Sequence, residues 1–162
     1  MTSHASARPE PRDGLFAFPP AALPYEVSRV KIAEFADAIG DADPLYRDRA
    51  AARTAGYPDV IAPPTFAVAV RAAEFGRRVF GGAPPDGLGI DPALVLHVDE
   101  AYAHTRPLHA GDRVTVRITV ESVRPVRDDE ILVIRSDLTG ADDAPVSTVR
   151  TTLFVRGGRP VR

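Results

Sequence analysis

Three absences narrow the classes of protein that this 162-residue sequence can encode. It contains no cysteine, which excludes disulfide bonds, thiolate nucleophiles and cysteine-ligated metal sites. No apolar run approaches the ~20 residues of a membrane-spanning helix, and the N-terminus has no hydrophobic signal core. We therefore expect a cytoplasmic protein that does not bind membranes. The net charge of -2 gives no electrostatic reason to expect a nucleic acid as partner.

The residues that are present indicate one globular domain. The hydrophobic content of 44% and the charged content of 26% are typical of a soluble protein, and the chain is long enough to bury a substantial core. Residues 1–22 contain four prolines and no helical or alternating period. They are predicted to form a flexible or surface-wrapping N-terminal arm, and the domain is expected to span residues 23–162. We find no internal repeat.

Hydrophobic periodicity predicts helices in the first half of the domain. Ser28 suits the N-cap of a first helix, and Gly40 suits the left-handed position after it. The apolar positions of this helix follow a helical spacing, at Ile32, Phe35, Ala36 and Ile39. A short helix is predicted within residues 47–56. A longer one is predicted from Pro63 and Pro64 to about Phe80, and its apolar residues on most sides predict a buried helix.

The second half of the domain alternates with a period of two. From residue 113 to residue 120, Val and Ile alternate with Arg and Thr, which is typical of a half-buried antiparallel strand. Residues 93–104, 130–138 and 147–156 behave similarly, and residues 23–27 form a shorter candidate strand. Helices followed by a strand meander predict the α+β class.

Two motifs flank the predicted helices. Gly40-Asp41-Ala42-Asp43-Pro44-Leu45-Tyr46 follows the first helix, and Ile61-Ala62-Pro63-Pro64-Thr65-Phe66 opens the long one. Together they resemble the MaoC-like branch of the hot-dog superfamily, the R-specific enoyl hydratases and 3-hydroxyacyl-thioester dehydratases, over roughly residues 24–156. The resemblance implies a single hot-dog fold, in which an antiparallel sheet wraps around a long central helix, and it implies a dimer of such domains.

The resemblance also identifies two altered catalytic positions. Catalytic relatives carry G-D-x-N-P-L-H, so Asp41 matches the acid and Tyr46 stands where the histidine belongs. Pro64 stands where relatives have the glycine whose amide binds the thioester oxygen, and proline has no amide hydrogen. Tyrosine titrates near ~10 and histidine near ~6.5, so Tyr46 is a poor proton shuttle at neutral pH. We therefore expect a chain that lacks key catalytic residues, with Asp41 vestigial or supporting.

This pattern is similar to the non-catalytic, substrate-holding subunits of actinobacterial heterodimeric (3R)-hydroxyacyl-ACP dehydratases. The resemblance implies an acyl-ACP or acyl-CoA thioester as substrate, a catalytic MaoC-like subunit as partner, no cofactor, and a place in fatty-acid or related acyl metabolism. The wall of the acyl channel is expected to include Phe66, Val70, Ala73 and His97.

Other interpretations stay open at this point. The chain could be a self-sufficient homodimeric enoyl hydratase that uses Asp41 with Tyr46 or a water, or a non-enzymatic carrier of acyl chains or other apolar ligands. Asp41 also suits a simple turn, and Tyr46 and His97 suit packing roles. His104 and His109 are expected to face solvent. The histidine spacing does not match a metal-ligand motif, so no metal site is expected.

Overall fold

A computed structural model describes residues 16–82 and 86–157. The three helices are α1 (Arg29–Ala38), α2 (Arg49–Thr54) and α3 (Ala67–Phe75). The six strands are β1 (Phe16–Ala17), β2 (Tyr25–Glu26), β3 (Val95–His104), β4 (Arg113–Val126), β5 (Asp129–Thr139) and β6 (Pro145–Val155). A 3-10 turn, Pro64–Phe66, leads into α3, and a π-helical turn, Gly76–Phe80, continues it. The predicted α+β class is confirmed.

All six strands belong to one antiparallel sheet. Its order is β1-β4-β5-β6-β3, and β2 pairs with the start of β4, whereas β1 pairs with the middle of that strand. Alternate residues of the central strands point to one face, where they are buried with the inner side of α3. The core residues on this face of the sheet include Val116, Ile118, Val120, Leu132, Ile134, Leu138, Val149 and Leu153. A central helix packed on one face of an antiparallel sheet is the predicted hot-dog arrangement.

The first helix has the predicted N-cap, but one of its predicted apolar positions is not buried. Ser28 Oγ accepts a hydrogen bond from the Lys31 amide at 3.2 Å, and Gly40 has a φ of 71°. Ile32 and Ala36 are buried. Ile39, however, is 50% exposed, because the helix ends at Ala38 and Ile39 is already the C-cap residue. The prediction that Ile39 joins the buried face is therefore wrong.

The central helix is less enclosed than its composition predicts. Ala67, Val70 and Phe75 are buried against the sheet, whereas Ala72 and Ala73 are exposed. A single layer of helix on a single sheet leaves the outer side of α3 to solvent, so the prediction of burial on most sides is wrong for the isolated chain. None of the helices in the described ranges is long and apolar enough to cross a membrane.

Residues 16–27 run antiparallel to β4 and cover its outer side. The Phe18 amide donates to the Ile118 carbonyl at 2.9 Å, and the Ala21 amide donates to the Val116 carbonyl at 2.8 Å. The Phe18 side chain is 1% exposed. Residues 16–22 of the predicted arm thus lie along β4, with Phe18 buried and the others half-buried or exposed. Residues 1–15 lie outside the described part of the chain.

Strand β3 forms the opposite edge of the sheet and has a bulge at Val98. His97 pairs with Leu153 and Asp99 pairs with Thr152, so one residue of β3 is left without a partner between them. Before the bulge, His97 lies on the face that points to the helix, opposite buried Leu153. After it, Glu100 lies on that face, opposite buried Thr151.

Candidate functional site

A cavity of about 270 Å³ lies at the start of the central helix. It is lined by Tyr46, residues 61–64 and residues 104–108. Backbone hydrogen bonds hold these three segments together, since the Ile61 amide donates to the Leu45 carbonyl at 3.1 Å and the Ala62 amide donates to the Leu108 carbonyl at 2.8 Å. The structure therefore brings two of the predicted catalytic positions, Tyr46 and Pro64, into one cavity.

Asp41 lies in the tight loop between α1 and Tyr46. Its amide donates to the Ala36 carbonyl at 2.9 Å, and its Oδ1 accepts from the Asp43 amide at 3.1 Å. This is an Asx turn, in which a short acidic side chain holds the backbone two residues ahead. Asp41 is half-buried and is not one of the residues that line the cavity. In this arrangement its carboxylate holds the turn that carries Tyr46.

Tyr46 is a neutral phenol at physiological pH. Its pKa lies above the ordinary tyrosine value, first because the ring is buried and then because the carboxylates of Asp41 and Asp43 oppose a phenolate. Both effects favour the protonated form. The hydroxyl can therefore donate a hydrogen bond to a ligand, but it cannot accept a proton as a base near neutrality.

Pro64 is the first residue of the 3-10 turn that leads into α3. The fixed φ of proline suits a helix start, and the Phe66 amide donates back to the Pro63 carbonyl at 2.9 Å to close the turn. Pro64 has no N–H, so this position at the cavity cannot donate a hydrogen bond to a ligand oxygen.

An ion pair fixes the wall formed by residues 104–108. The guanidinium of Arg106 donates to both carboxylate oxygens of Asp112, at 2.7 and 2.8 Å, and the His109 amide donates to the same carboxylate at 2.9 Å. Burial alone would raise the pKa of Asp112, but these hydrogen bonds outweigh burial and hold the pKa below its usual value. The charge of Arg106 is therefore paired, and the wall is held in one shape.

The sequence did not predict one lining residue, His104. Its Nδ1 lies 3.0 Å from Ser147 Oγ, and its ring stacks with Tyr102 at a centroid distance of 6.0 Å. His104 is exposed, as expected, and it also lines the same cavity as Tyr46. Only tertiary structure joins residue 104 to residue 46, and no motif or spacing in the sequence links them.

The four predicted channel residues do not line one cavity in the described part of the chain. Phe66 is a core residue whose ring packs edge-on against Phe35 at 5.3 Å. Val70 and Ala73 line a separate groove of about 340 Å³ between α3, β4 and residues 21–25. His97 is exposed on β3, with Nε2 3.3 Å from Glu100 Oε2. Among the described residues, acidic and histidine side chains form no group of three that could hold a metal ion.

Comparison with known proteins gives consistent likenesses. The family described as "FAS1-like, dehydratase domain region" matches residues 17–149. A UPF0336 protein of Thermobifida fusca is 45% identical over 137 residues, which are 85% of this chain and 88% of that protein.

Solved structures share the fold. A MaoC-like dehydratase superposes with a TM-score of 0.76 and 28% identity over 87% of this chain and 41% of its own, so this chain spans less than half of that protein. A chain of the C-terminally truncated HadBC (3R-hydroxyacyl-ACP dehydratase) complex from Mycobacterium tuberculosis gives a TM-score of 0.70 at 26% identity, over 88% of this chain and 96% of its own. These likenesses confirm the hot-dog fold.

Proposed function

Since this chain belongs to the family of FAS1-like dehydratase domains, we propose that it is a subunit of a 3-hydroxyacyl-thioester dehydratase or enoyl-thioester hydratase. In this proposal the chain holds the acyl group, and the chemistry occurs in a catalytic hot-dog partner. One observation carries the proposal: the cavity at the helix start contains a neutral phenol and a proline, at the two positions where the reaction needs a proton carrier and an amide donor.

The reaction sets both requirements. Dehydration removes a proton from Cα and a hydroxyl from Cβ of the thioester, and hydration reverses this, so a group that titrates near neutral pH must move the proton. The developing charge on the thioester oxygen needs a hydrogen-bond donor at that oxygen. The raised pKa of Tyr46 and the missing N–H of Pro64 leave this chain without either group at those positions. The partner would supply both.

The edge of the sheet supports an association with that partner. Within the described residues, β3 pairs with β6 on one side only, and its exposed side chains include Leu96 and Val98 at 63% and 56% exposure. An unpaired strand with apolar side chains is a template for another strand. A second hot-dog domain that adds a strand here would extend the sheet across both chains.

We assign the acyl chain to the groove that contains Val70 and Ala73. Its floor is formed by Val114 and Val116 of β4, and residues 21–25 form its other wall. Burial of a hydrocarbon against such walls is favourable at roughly 25 cal/mol per Å² of apolar surface. In this assignment Phe66 shapes the core beneath the helix start, and His97 contributes only where a partner covers β3. The thioester would be carried by ACP or CoA.

Activity measurements test the division of labour. The isolated chain should hydrate crotonyl thioesters at no more than trace rates. The same chain should co-purify with a hot-dog protein that carries an intact G-D-x-N-P-L-H motif and is encoded beside it, and the complex should be active on a chain-length series. Robust turnover by the isolated chain that is abolished by Asp41→Asn would contradict the proposal.

A double variant tests whether the loss is local to the cavity. Tyr46→His with Pro64→Gly introduces an imidazole that titrates near neutrality and an amide donor at the helix start. We expect measurable hydratase activity in the double variant and much less in each single variant, since a well-placed oxyanion donor is worth about 2.7 to 4 kcal/mol. A folded double variant, with unchanged circular dichroism, that is inactive on short and long enoyl thioesters would show that the loop itself has diverged.

His104 favours a second candidate function, a self-sufficient hydratase. It is the one histidine among the residues that line the cavity with Tyr46, and Ser147 orients its ring. In that case the isolated chain turns over enoyl thioesters, His104→Ala abolishes the turnover, and Asp41→Asn lowers it much less. A third possibility, a carrier of apolar ligands without a partner enzyme, predicts ligand binding by the isolated chain and no activity in any complex.

A further inference from the structure

Two adjacent acids occupy the middle of the unpaired edge strand. Strand β3 reads Val95-Leu96-His97-Val98-Asp99-Glu100-Ala101-Tyr102-Ala103-His104, and its centre falls at Asp99 and Glu100. Asp99 is exposed and forms no ion pair within residues 16–82 and 86–157. An acid at this position faces whatever chain pairs with the edge.

Glu100 differs from Asp99 because the chain itself balances its charge. It forms an ion pair with Arg71, a buried residue of α3 whose guanidinium also lies over the Phe75 ring at 4.3 Å. The second carboxylate oxygen of Glu100 lies 3.3 Å from His97 Nε2. The negative charge that a partner strand meets is therefore mainly that of Asp99.

Pairing with a second copy of this chain brings like charges together. Oligomers of identical chains are usually related by a two-fold axis, so a self-paired β3 is antiparallel and symmetric about its own centre. Side chains directly opposite each other share a face of the sheet, and a slip of one residue exchanges the faces. Two of the symmetric registers that keep both helices on one face and most of β3 paired bring the acids together. One places Asp99 opposite Asp99, and the other places Glu100 opposite Glu100 with the two Asp99 side chains at diagonal positions. Like charges in directly opposite positions destabilise a strand pair.

We propose that the acids at the centre of β3 select against self-pairing and favour a different chain, whose edge strand carries a basic side chain opposite Asp99. Leu96 and Val98 supply apolar contact to either kind of partner, so the charge decides between them. This inference rests on the proposed function for the existence of a partner, and it goes further by naming the chemistry of the partner's strand.

Self-association of the isolated full chain tests the repulsion without any partner or substrate. Sedimentation velocity at about 50 mM and about 500 mM salt should show tighter self-association at the higher concentration, since salt screens exposed charges. At low salt, Asp99→Asn should tighten self-association by about two- to fivefold. Asp128→Asn is the matched control, because it removes the same charge from the exposed turn between β4 and β5. Self-association that salt weakens, or that Asp99→Asn leaves no tighter than the control does, would overturn the proposal.

A mixing experiment tests the preference for a basic strand. The Asp99→Lys variant stands in for the partner's edge, and native mass spectrometry of an equal mixture with the wild-type chain measures the distribution of dimers. Random pairing would make half of the dimers mixed. We expect a larger fraction, because the association constant of the mixed dimer should be about fivefold above the value for random pairing. A statistical distribution would contradict the charge selection. That result would leave the proposed function untouched, because the activity of the isolated chain and of its complex is measured separately.

Discussion

The two edges of the sheet differ in what covers them. At the sealed edge, residues 16–27 run along β4, with hydrogen bonds from Phe18, Ala21 and Val27 to its backbone and to the residue that precedes it. At the open edge, β3 is ten residues long and has no strand on its outer side within the described ranges. One protein thus contains a protected edge and an unprotected one. Long unpaired strands promote association, and β3 is the edge to which we assign the proposed partner.

The sealed edge is secured by side chains as well as by backbone. Arg78 is buried, donates to the Pro19 carbonyl at 3.3 Å and lies over the Phe18 ring at 5.0 Å. Its Nε also donates to Glu74 at 2.8 Å, so the guanidinium joins the central helix to the N-terminal segment. At the other edge, buried Arg71 joins the same helix to Glu100 of β3, but no segment lies along the outer side of β3 in the described part of the chain. The two edges are therefore unequal in exposure.

The largest expected effect comes from breaking the sealed edge. Phe18→Ala removes a fully buried ring and its contact with Arg78, and it should lower the free energy of unfolding by about 3 to 5 kcal/mol. Urea denaturation of the full chain measures this change. Leu23→Ala in the same segment is the control, because Leu23 is 82% exposed and its loss should change stability by less than about 0.5 kcal/mol. Equal effects of the two variants would show that Phe18 does not anchor the edge.

An intermediate effect is expected in the loop that joins the open edge to β4. Asp112→Asn weakens the pair with Arg106 and should cost about 1 to 3 kcal/mol at neutral pH. The folded pKa of Asp112 lies below its unfolded value, so its contribution is present above the unfolded pKa of about 3.9 and is lost as the pH falls through the folded pKa. The stability difference between wild type and variant should therefore be constant from pH 7 down to about pH 4 and should shrink as the pH falls further. A difference that does not shrink at low pH would contradict this role of the carboxylate.

The smallest effect on stability is expected at the open edge itself. Leu96→Ser should change the free energy of unfolding of the isolated chain by less than about 0.5 kcal/mol, since Leu96 is mostly exposed. The same variant should weaken binding to the proposed catalytic partner, as measured by calorimetric titration. Val30→Ser is the matched control, because Val30 is equally exposed but lies on α1. If both variants bind the partner alike, β3 is not the docking edge.

The local elements of the fold were predictable because local chemistry determines them. The Ser28 cap, the proline start of the central helix and the alternating pattern of β4 all place their elements correctly. Burial was less predictable. Ile39 and Ala73 are apolar but exposed, because burial depends on which other elements lie above a residue, and a single chain supplies only one helix layer.

The site was predictable in part for the same reason. The motifs placed Tyr46 and Pro64 in one cavity, since each motif lies beside a helix end that the fold brings together. His104 reaches that cavity from the end of β3, through contacts that depend on the sheet order. Phe66, Val70, Ala73 and His97 share a helix or a strand in the sequence, but the fold distributes them among the core, a groove and an edge.

The bulge at Val98 shifts the alternation of side chains within one strand. Odd-numbered residues face the helix before the bulge and even-numbered residues face it after the bulge, so His97 and Glu100 point the same way although they are three residues apart. Deletion of Val98 would restore regular alternation and leave both halves of β3 on their present faces, since His97 and Asp99 already pair with consecutive residues of β6. A regular strand that pairs along the whole of β3 must place two residues of β3 opposite one of its own at the bulge, as β6 does. The register of a partner's strand is thus constrained by one residue.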